Sequence, residues 1–467
     1  MKCSFKKYLL ISIIIILIAL LTLWLPLQTL QQIILTIFLF TVGWIFVVVW
    51  SKYIKENSQI KFIKKIYILS FILRIGFVFL LLIAHNEFST PLFIAESGGF
   101  FTDDLNYHER AIEISEVIEN KGLIEGFNLT KFYYLGNFGF AFLNAIIYYL
   151  LNEPNTIIVR LINCLFGALV PVLCYQIAYF VYRNLNIARY SAIITAIFPT
   201  FIVLSAAHFK DTIIIFFILF IFSACLKVGK KIRLKDILLI FISLFILATF
   251  RYLIALALLA LIAIYFLIIK GKKPSFKIVA IVAISLGIGI LYLWKSHEYL
   301  RFYSPSFVQE LSKNISYDYM TAQGDTSLIA RLSKTASGKL IFLVFNFIIF
   351  LIGPLPNTQM GFFILIFPGV WTWYFLIPIS IYGLLYSIKF KTRESWFLYS
   401  IVFIIIATIS VSFFGSNFRY REQIMPILII FSTIGIINFK KIKHLYILYL
   451  FFMFLFLLTY LYIKYHV

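Results

Sequence analysis

The feature that most constrains this chain is a succession of apolar runs, each about as long as the roughly 20 residues a helix needs to cross the hydrocarbon core of a bilayer. The first, Tyr8–Leu25, follows a basic start (Lys2, Lys6, Lys7) as a signal peptide would. It is too long for one, lacks a small-residue cleavage site and runs almost directly into a second stretch, Leu30–Trp50, so it reads as a retained span. Further spans follow at Ile66–Ala84, Thr156–Tyr182, Ser191–Ala206, Thr212–Val228, Ile237–Phe250, Tyr252–Ile269 and Ile278–Trp294. Ile364–Ile388, Trp396–Phe414, Met425–Phe439 and Tyr446–Ile463 complete a set of about 13. Two more runs, Tyr134–Leu151 and Ile341–Leu355, fit either a crossing or a half-embedded segment.

Composition agrees with the pattern. Hydrophobic residues make up 62% of the 467, against 45–50% in ordinary soluble domains, and mean hydropathy is +0.99. Water-soluble domains and disorder are both excluded. Cys3, Cys164, Cys174 and Cys225 lie in or beside apolar runs without paired or metal-type spacing, so they imply neither a disulfide framework nor a zinc site. The fold class is all-α: a polytopic membrane protein.

Charge decides the two ambiguous runs. With the N-terminus inside and both runs half-embedded, residues 1–7, 51–65, 183–190, 227–236, 270–277, 389–395 and 440–444 face inward. These segments hold 25 of the 41 Lys and Arg but three of the 19 acidic residues (Glu56, Asp236, Glu394), a balance of 25 − 3 = +22. If Tyr134–Leu151 crossed, the basic turns 229–236 and 271–277 would face outward, against the positive-inside bias. The net charge of +22 therefore marks cytoplasmic loops and not a nucleic-acid partner.

The same topology puts loop 85–133, the turn 207–211, the hairpin tip Arg251, loop 295–339 and the turn 415–422 on the outer side. Nearly every polar group capable of chemistry then shares one face.

Three groups on that face could carry chemistry. In the first, Asp103 and Asp104 precede Tyr107, Ala111, Ile114 and Ile118, whose spacing of four, three and four is a helical stripe. Gly122 closes the helix, which would lie along the membrane surface with its stripe against lipid or the bundle. Either carboxylate serves as a helix cap. A sharper reading is that adjacent carboxylates divide into an acid and a base, placed where an aqueous hydroxyl meets a lipid-borne leaving group. In the second, His208, Lys210 and Asp211 form a turn tip in which Asp211 caps the next helix, or a site in which His208 and Lys210 attract phosphate and Asp211 adds a carboxylate. Pro199 upstream would bend the span that leads to it. The third holds Arg419 and Arg421 before Pro426. Outward arginines break the orientation rule, so they serve anionic headgroups or bind phosphate in a bidentate fork. Arg251 is a weaker relative, and Arg74, within a span, either snorkels or faces a cavity.

Loop 295–339 carries His297, Glu298, Asp318 and Asp325 without metal-ligand spacing. No Walker or Rossmann glycine pattern, internal repeat or Cys/His metal box is present, which argues against ATP-driven pumping and against nucleotide-sugar chemistry on the inner side.

These residues resemble the GT-C class of polyprenyl-phosphate-dependent glycosyltransferases, in the protein-mannosyltransferase and aminoarabinose-transferase-like group (glycosyltransferase family 39). The matching features run in order: Leu73-Arg74; Asp103 to Ala111; the half-embedded Tyr134–Leu151; Arg160-Leu161-Ile162-Asn163; Phe198-Pro199 leading to Lys210-Asp211; Pro354 and Pro356; and Arg419-Tyr420-Arg421 before Pro426. They cover residues 66–440, which divides the chain into two extra N-terminal helices (1–65) and a GT-C-like core (66–467) with outer loops 85–133 and 295–340.

The resemblance implies an outward cavity that takes a sugar from a polyprenyl phosphate and passes it, with inversion, to an acceptor on a glycan, lipid or protein. It places Asp103 at the catalytic position of the family's Asp-Glu pair, with Asp104 where the family has Glu. Asp211 falls at a second-loop acidic position that in some members lies near a metal, which would put a divalent ion near Asp103 and Asp211. Tyr107, His208, Lys210, Arg251, Arg419 and Arg421 become the substrate-binding set, and the compartment a cytoplasmic membrane with the site facing outside. Two rivals remain: a lipid-linked oligosaccharide flippase or other transporter, which tends to place ionisable groups at mid-membrane in repeated halves, and an oligosaccharide polymerase or ligase using outer arginines in the same way.

Overall fold

The computed structural model describes residues 27–51, 57–88, 102–130, 138–229, 233–266, 363–390, 393–411 and 418–466. The expected spans Tyr8–Leu25 and Ile278–Trp294, the run Ile341–Leu355 and loop 295–339 lie outside them.

Helices α1 (Leu27–Ser51) and α2 (Asn57–Phe88) come first, α2 starting well ahead of Ile66. Two helices that do not meet the length and apolarity of a span follow: α3 (Thr102–Lys121), with its short continuation α4 (Leu123–Leu129), and α5 (Phe138–Leu151). Then come α6 (Thr156–Tyr182), α7 (Leu185–Ile197), α8 (Pro199–Ala206), α9 (Asp211–Val228) and α10 (Leu234–Ile264). After the undescribed stretch, α11 (Phe363–Ser387), α12 (Arg393–Val411), the short α13 (Phe418–Glu422), α14 (Met425–Ile437) and α15 (Lys443–His466) complete the set. Among the described residues there is no strand. Among the described residues six helices are long and apolar enough to cross a membrane, seven if the bent pair α7–α8 counts as one span.

The centre of the bundle is α6, with α9 beside it. A helix that is apolar on every side is stable only when surrounded, and both helices are buried almost throughout. Asn155 starts α6 by accepting the Ile157 N–H through its side chain (3.1 Å), and Arg183 ends it in the left-handed region (φ 53°). Peripheral helices present apolar side chains outward, as at Phe38 and Ile45 of α1 and Phe451, Phe452 and Phe454 of α15. Bare surface of this kind suits lipid, not water.

Two breaks position the site. Helices α7 and α8 meet at Phe198–Pro199 with a 50° bend. Pro199 brings no N–H, so the α-helical ladder stops there. In α10 the backbone at Arg251 is extended (φ −156°, ψ 85°). Arg251 lies beside Asp211, at the start of α9, whereas the Tyr265 hydroxyl stands against Gly229, just past the end of α9. The chain has therefore turned back at Arg251, and α10 is a hairpin of two antiparallel halves.

Helix α5 begins with Gly139 against Thr249, next to that reversal, and leads into α6 at the same end of the bundle. Both of its ends therefore lie at that end of the bundle. Its buried residues Phe140, Ala141 and Tyr148 receive the stripe of α3, where Tyr107, Ala111, Ile114 and Ile118 are all buried. Gly122, at φ 91°, donates its N–H to the Ile118 carbonyl (2.9 Å) and closes α3.

Close backbone approach joins α11 to α14. A Cβ on Gly383 would collide with the Phe431 carbonyl oxygen, and one on Gly435 with that of Ile379. Small residues let transmembrane backbones pack at this range, and a carbonyl cannot rotate away. Gly383→Ala should cost about 1–3 kcal/mol and lower the apparent melting temperature of detergent-solubilised protein by several degrees; an unchanged melt would show that these two helices are free to separate.

Candidate functional site at one end of the bundle

The site is built on the turn that joins α8 to α9. Its carbonyls point into the bundle, and buried carbonyls need donors. Helix α6 supplies them: Arg160 Nη1 donates to Ala206 O (3.1 Å), and Asn163 Nδ2 donates to Ala207 O (3.0 Å) and Phe209 O (2.9 Å). Residues 160 and 163 are three apart, so both project from one face of α6. Arg74 of α2 holds the bend upstream, donating from Nη1 to Ala196 O (3.2 Å), before the Pro199 break, and from Nε to Ser205 Oγ (3.2 Å), after it.

The turn in turn holds α3. In the neutral ring, His208 Nδ1 donates to Asp104 Oδ1 (2.7 Å) while Asn144 Nδ2 of α5 donates to His208 Nε2 (2.7 Å). Arg160 Nη2 lies 3.8 Å from the other Asp104 oxygen. Burial acts to raise the Asp104 carboxyl. The hydrogen bond from His208 and the positive charge of Arg160 outweigh it and hold the group below its ordinary value. Beside this set, His108 Nδ1 meets the Tyr148 hydroxyl at 2.9 Å, and the Lys210 ammonium sits 5.4 Å above the Tyr107 ring.

A second set adjoins the first through Asp211, the residue after Lys210. Arg419 Nε is 3.2 Å from Asp211 Oδ2, and Arg251 Nη2 is 3.9 Å from Oδ1. Phe209 lies under the Arg419 guanidinium (4.6 Å), and Tyr420 under that of Arg251 (4.1 Å). Such faces hold cations in place. Arg421 turns elsewhere, to Glu422 (3.2 Å) and toward the Trp373 ring. Burial, and to a lesser extent the negative Asp211, push the Glu422 carboxyl up to about 7 against the pull of Arg421. Lys210, Arg251, Arg419 and Arg421 thus outnumber Asp211 and Glu422, leaving an excess of positive charge.

The residues expected from the sequence accordingly separate. Asp104, His208, Tyr107 and Lys210 gather at the turn, with Asp211, Arg251 and Arg419 next to them. Asp103 precedes Asp104 on α3, but its side chain lies outside the described residues. The expected split of the Asp103–Asp104 pair into base and acid takes a different form at Asp104, which is committed to His208 and Arg160 as an anchor. Arg160, Asn163, Asn144, His108 and Glu422 also belong to the site, Arg160, Asn163 and His108 falling within the family-like motifs of the sequence. The Arg-x-x-Asn spacing opening a span is the one sequence signal for two of them. Among the described residues no three His, Cys, Asp or Glu side chains converge. Of the pair expected beside a divalent ion, Asp211 faces Arg419 and Arg251, and the Asp103 side chain lies outside the described residues.

Residues 137–294 match the family described as dolichyl-phosphate-mannose-protein mannosyltransferase. The chain resembles the GT-C glycosyltransferases. Within that segment fall α5, with Asn144, Arg160 and Asn163 of α6, the turn with His208 and Asp211, and Arg251, which supports a membrane glycosyltransferase of GT-C type. No curated protein sequence matches the chain. Solved structures similar to it include the apo oligosaccharyltransferase of Archaeoglobus fulgidus, at 13% identity and a TM-score of 0.43 over 85% of this chain and 52% of that one. The complex of the enzyme from that organism with Zn and sulfate gives 15% identity and a TM-score of 0.39, over 68% of this chain and 42% of that one. The chain spans about half the length of these proteins.

Glu422 supplies a pH test. A carboxyl whose value rises from 4.5 unfolded to about 7 folded favours the folded state while protonated. Its contribution is fully present below 4.5 and is lost as the pH rises through about 7. The difference in melting temperature between the wild type and Glu422→Gln should therefore grow from near zero at about pH 4.5 to a plateau above about pH 7.5, the variant being the more stable; a difference independent of pH would mean that Glu422 is ionised throughout.

Proposed function

We propose that the chain is an integral-membrane glycosyltransferase that moves a sugar from a polyprenyl-phosphate donor to a hydroxyl on a glycan, lipid or protein acceptor, with inversion, on the extracytoplasmic face of the cytoplasmic membrane. One observation carries this reading. Arg251, Arg419 and Asp211, from parts of the chain far apart, meet beside the turn that anchors α3 and therefore the backbone of Asp103. The family match over residues 137–294 supports the donor class. Arg183 closes α6 at the end far from Arg160 and begins one of the basic loops. Under the positive-inside bias that end is cytoplasmic, which supports an outward site.

The donor phosphate would sit among Lys210, Arg251 and Arg419, where guanidinium forks make charge-assisted bonds to its oxygens. Arg421, paired with Glu422, stands outside this set. Asp103 takes the proton from the acceptor hydroxyl, whose oxygen attacks the anomeric carbon from the face opposite the phosphate. The bond from that carbon to the phosphate oxygen breaks, and polyprenyl phosphate leaves with the electron pair, its charge already compensated. Asp104 acts as a positioning residue, holding α3 through His208 and Arg160. Residues 1–65 we read as an addition ahead of a GT-C-like core at 66–467; α1 packs on that core through the Tyr67 hydroxyl, which donates to Phe40 O (2.9 Å).

Transfer from a radiolabelled polyprenyl-phosphate sugar in membranes tests the assignment. Asp103→Asn should lower kcat by about 100-fold or more with expression and donor binding retained, and near-normal turnover would remove Asp103 as the base. Arg251→Ala should raise the apparent KM for the donor about ten-fold with a smaller change in kcat; an unchanged KM would take Arg251 out of the phosphate site. Donor movement across the bilayer without any transfer would favour the flippase.

A further inference from the structure

Arg74 is fully buried in α2, yet among the described residues no carboxylate lies within ion-pair distance of it. Its Nε and Nη1 are engaged by Ser205, Ser70 and Ala196, whereas Nη2, with two N–H donors, has no hydrogen-bond partner there. A buried charge without a counter-charge is costly. Arg160, the other buried guanidinium of this region, already takes Asp104.

Arg74 lines a small cavity with Gly167, Val170, Phe201, Ser205, Thr212 and Ile215. It has room for one water or one monatomic ion. Thr212 and Ile215 bring the first turn of α9 to the cavity wall. That helix start has no side-chain cap, and the Thr212 hydroxyl is a second buried group without a partner among the described residues. Ser205 Oγ is spent, accepting from Arg74 and donating to Phe201 O (2.6 Å). The free groups are thus a guanidinium N–H pair, a hydroxyl and the positive end of a helix dipole, all suited to negative charge.

We propose that this cavity is a binding site for a single monatomic anion, chloride in the cell, held by Arg74 Nη2 and the Thr212 hydroxyl at the start of α9. The ion supplies the counter-charge of Arg74 and ties α2 to α9 behind the turn that carries His208, Lys210 and Asp211. It is separate from the phosphate site and does not depend on the chain being a glycosyltransferase.

The test is equilibrium binding of radiolabelled chloride to the full chain in nanodiscs, together with the anomalous signal of bromide in crystals of the wild type. Saturable binding of about one ion per chain is expected, unaffected by sulfate, with a bromide peak beside Arg74 Nη2. Thr212→Val, which keeps the side-chain shape, should weaken binding roughly ten-fold, and Arg74→Gln should abolish it. Absence of saturable binding, an ordered water without a bromide signal, or equal affinity in wild type and Thr212→Val would each overturn the proposal. Should Arg74→Gln fail to fold, the wild-type bromide peak and Thr212→Val decide the matter alone.

Discussion

Backbone carbonyls that are out of reach of water must find donors within the protein, and the architecture of the site follows from that demand. The bent pair α7–α8 and the turn after it expose carbonyls inside an apolar bundle. Arg74, Arg160 and Asn163 answer them from two neighbouring helices. Each of these side chains is costly to bury, but together they hold irregular backbone at a depth where it would otherwise be unstable. The turn then becomes rigid enough to carry His208, Lys210 and Asp211 as fixed groups, and rigidity of that kind is what a binding or catalytic constellation requires.

From the turn the constraint passes outward. His208 links it to Asp104, so α3 is docked by a charge-assisted bond as well as by its apolar stripe. Asp211 links it to Arg419 and Arg251, drawing together the hairpin of α10 and the short helix before α14. Both carboxylates serve as joints. The cations around Asp211 exceed the acids, so the cluster keeps a positive balance even after its internal pairs are formed.

Much of this is legible in the linear chain. The apolar runs mark the helices, the stripe from Tyr107 to Ile118 marks the buried face of α3, and Pro199 marks the bend. The reversal at Arg251 also follows, because two apolar runs separated by one charged residue at that length must fold back. Individual roles are less legible. Asp103 and Asp104 are equivalent as neighbours in a sequence, and nothing local says that the second meets His208 and Arg160, which lie far along the chain. Asn144 and Glu422 read as ordinary polar residues beside apolar runs.

What the sequence determined by itself was the class of solvent, because apolar length sets which segments can enter a bilayer, while the placement of Lys and Arg gives an expectation of which ends share a side. Both are sums over local composition, so neither needs a partner. What only the tertiary structure decided was pairing. Whether a carboxylate anchors a helix, waits as a base or balances an arginine depends on which distant side chain stands within about 4 Å of it, and that distance exists only after the helices have packed.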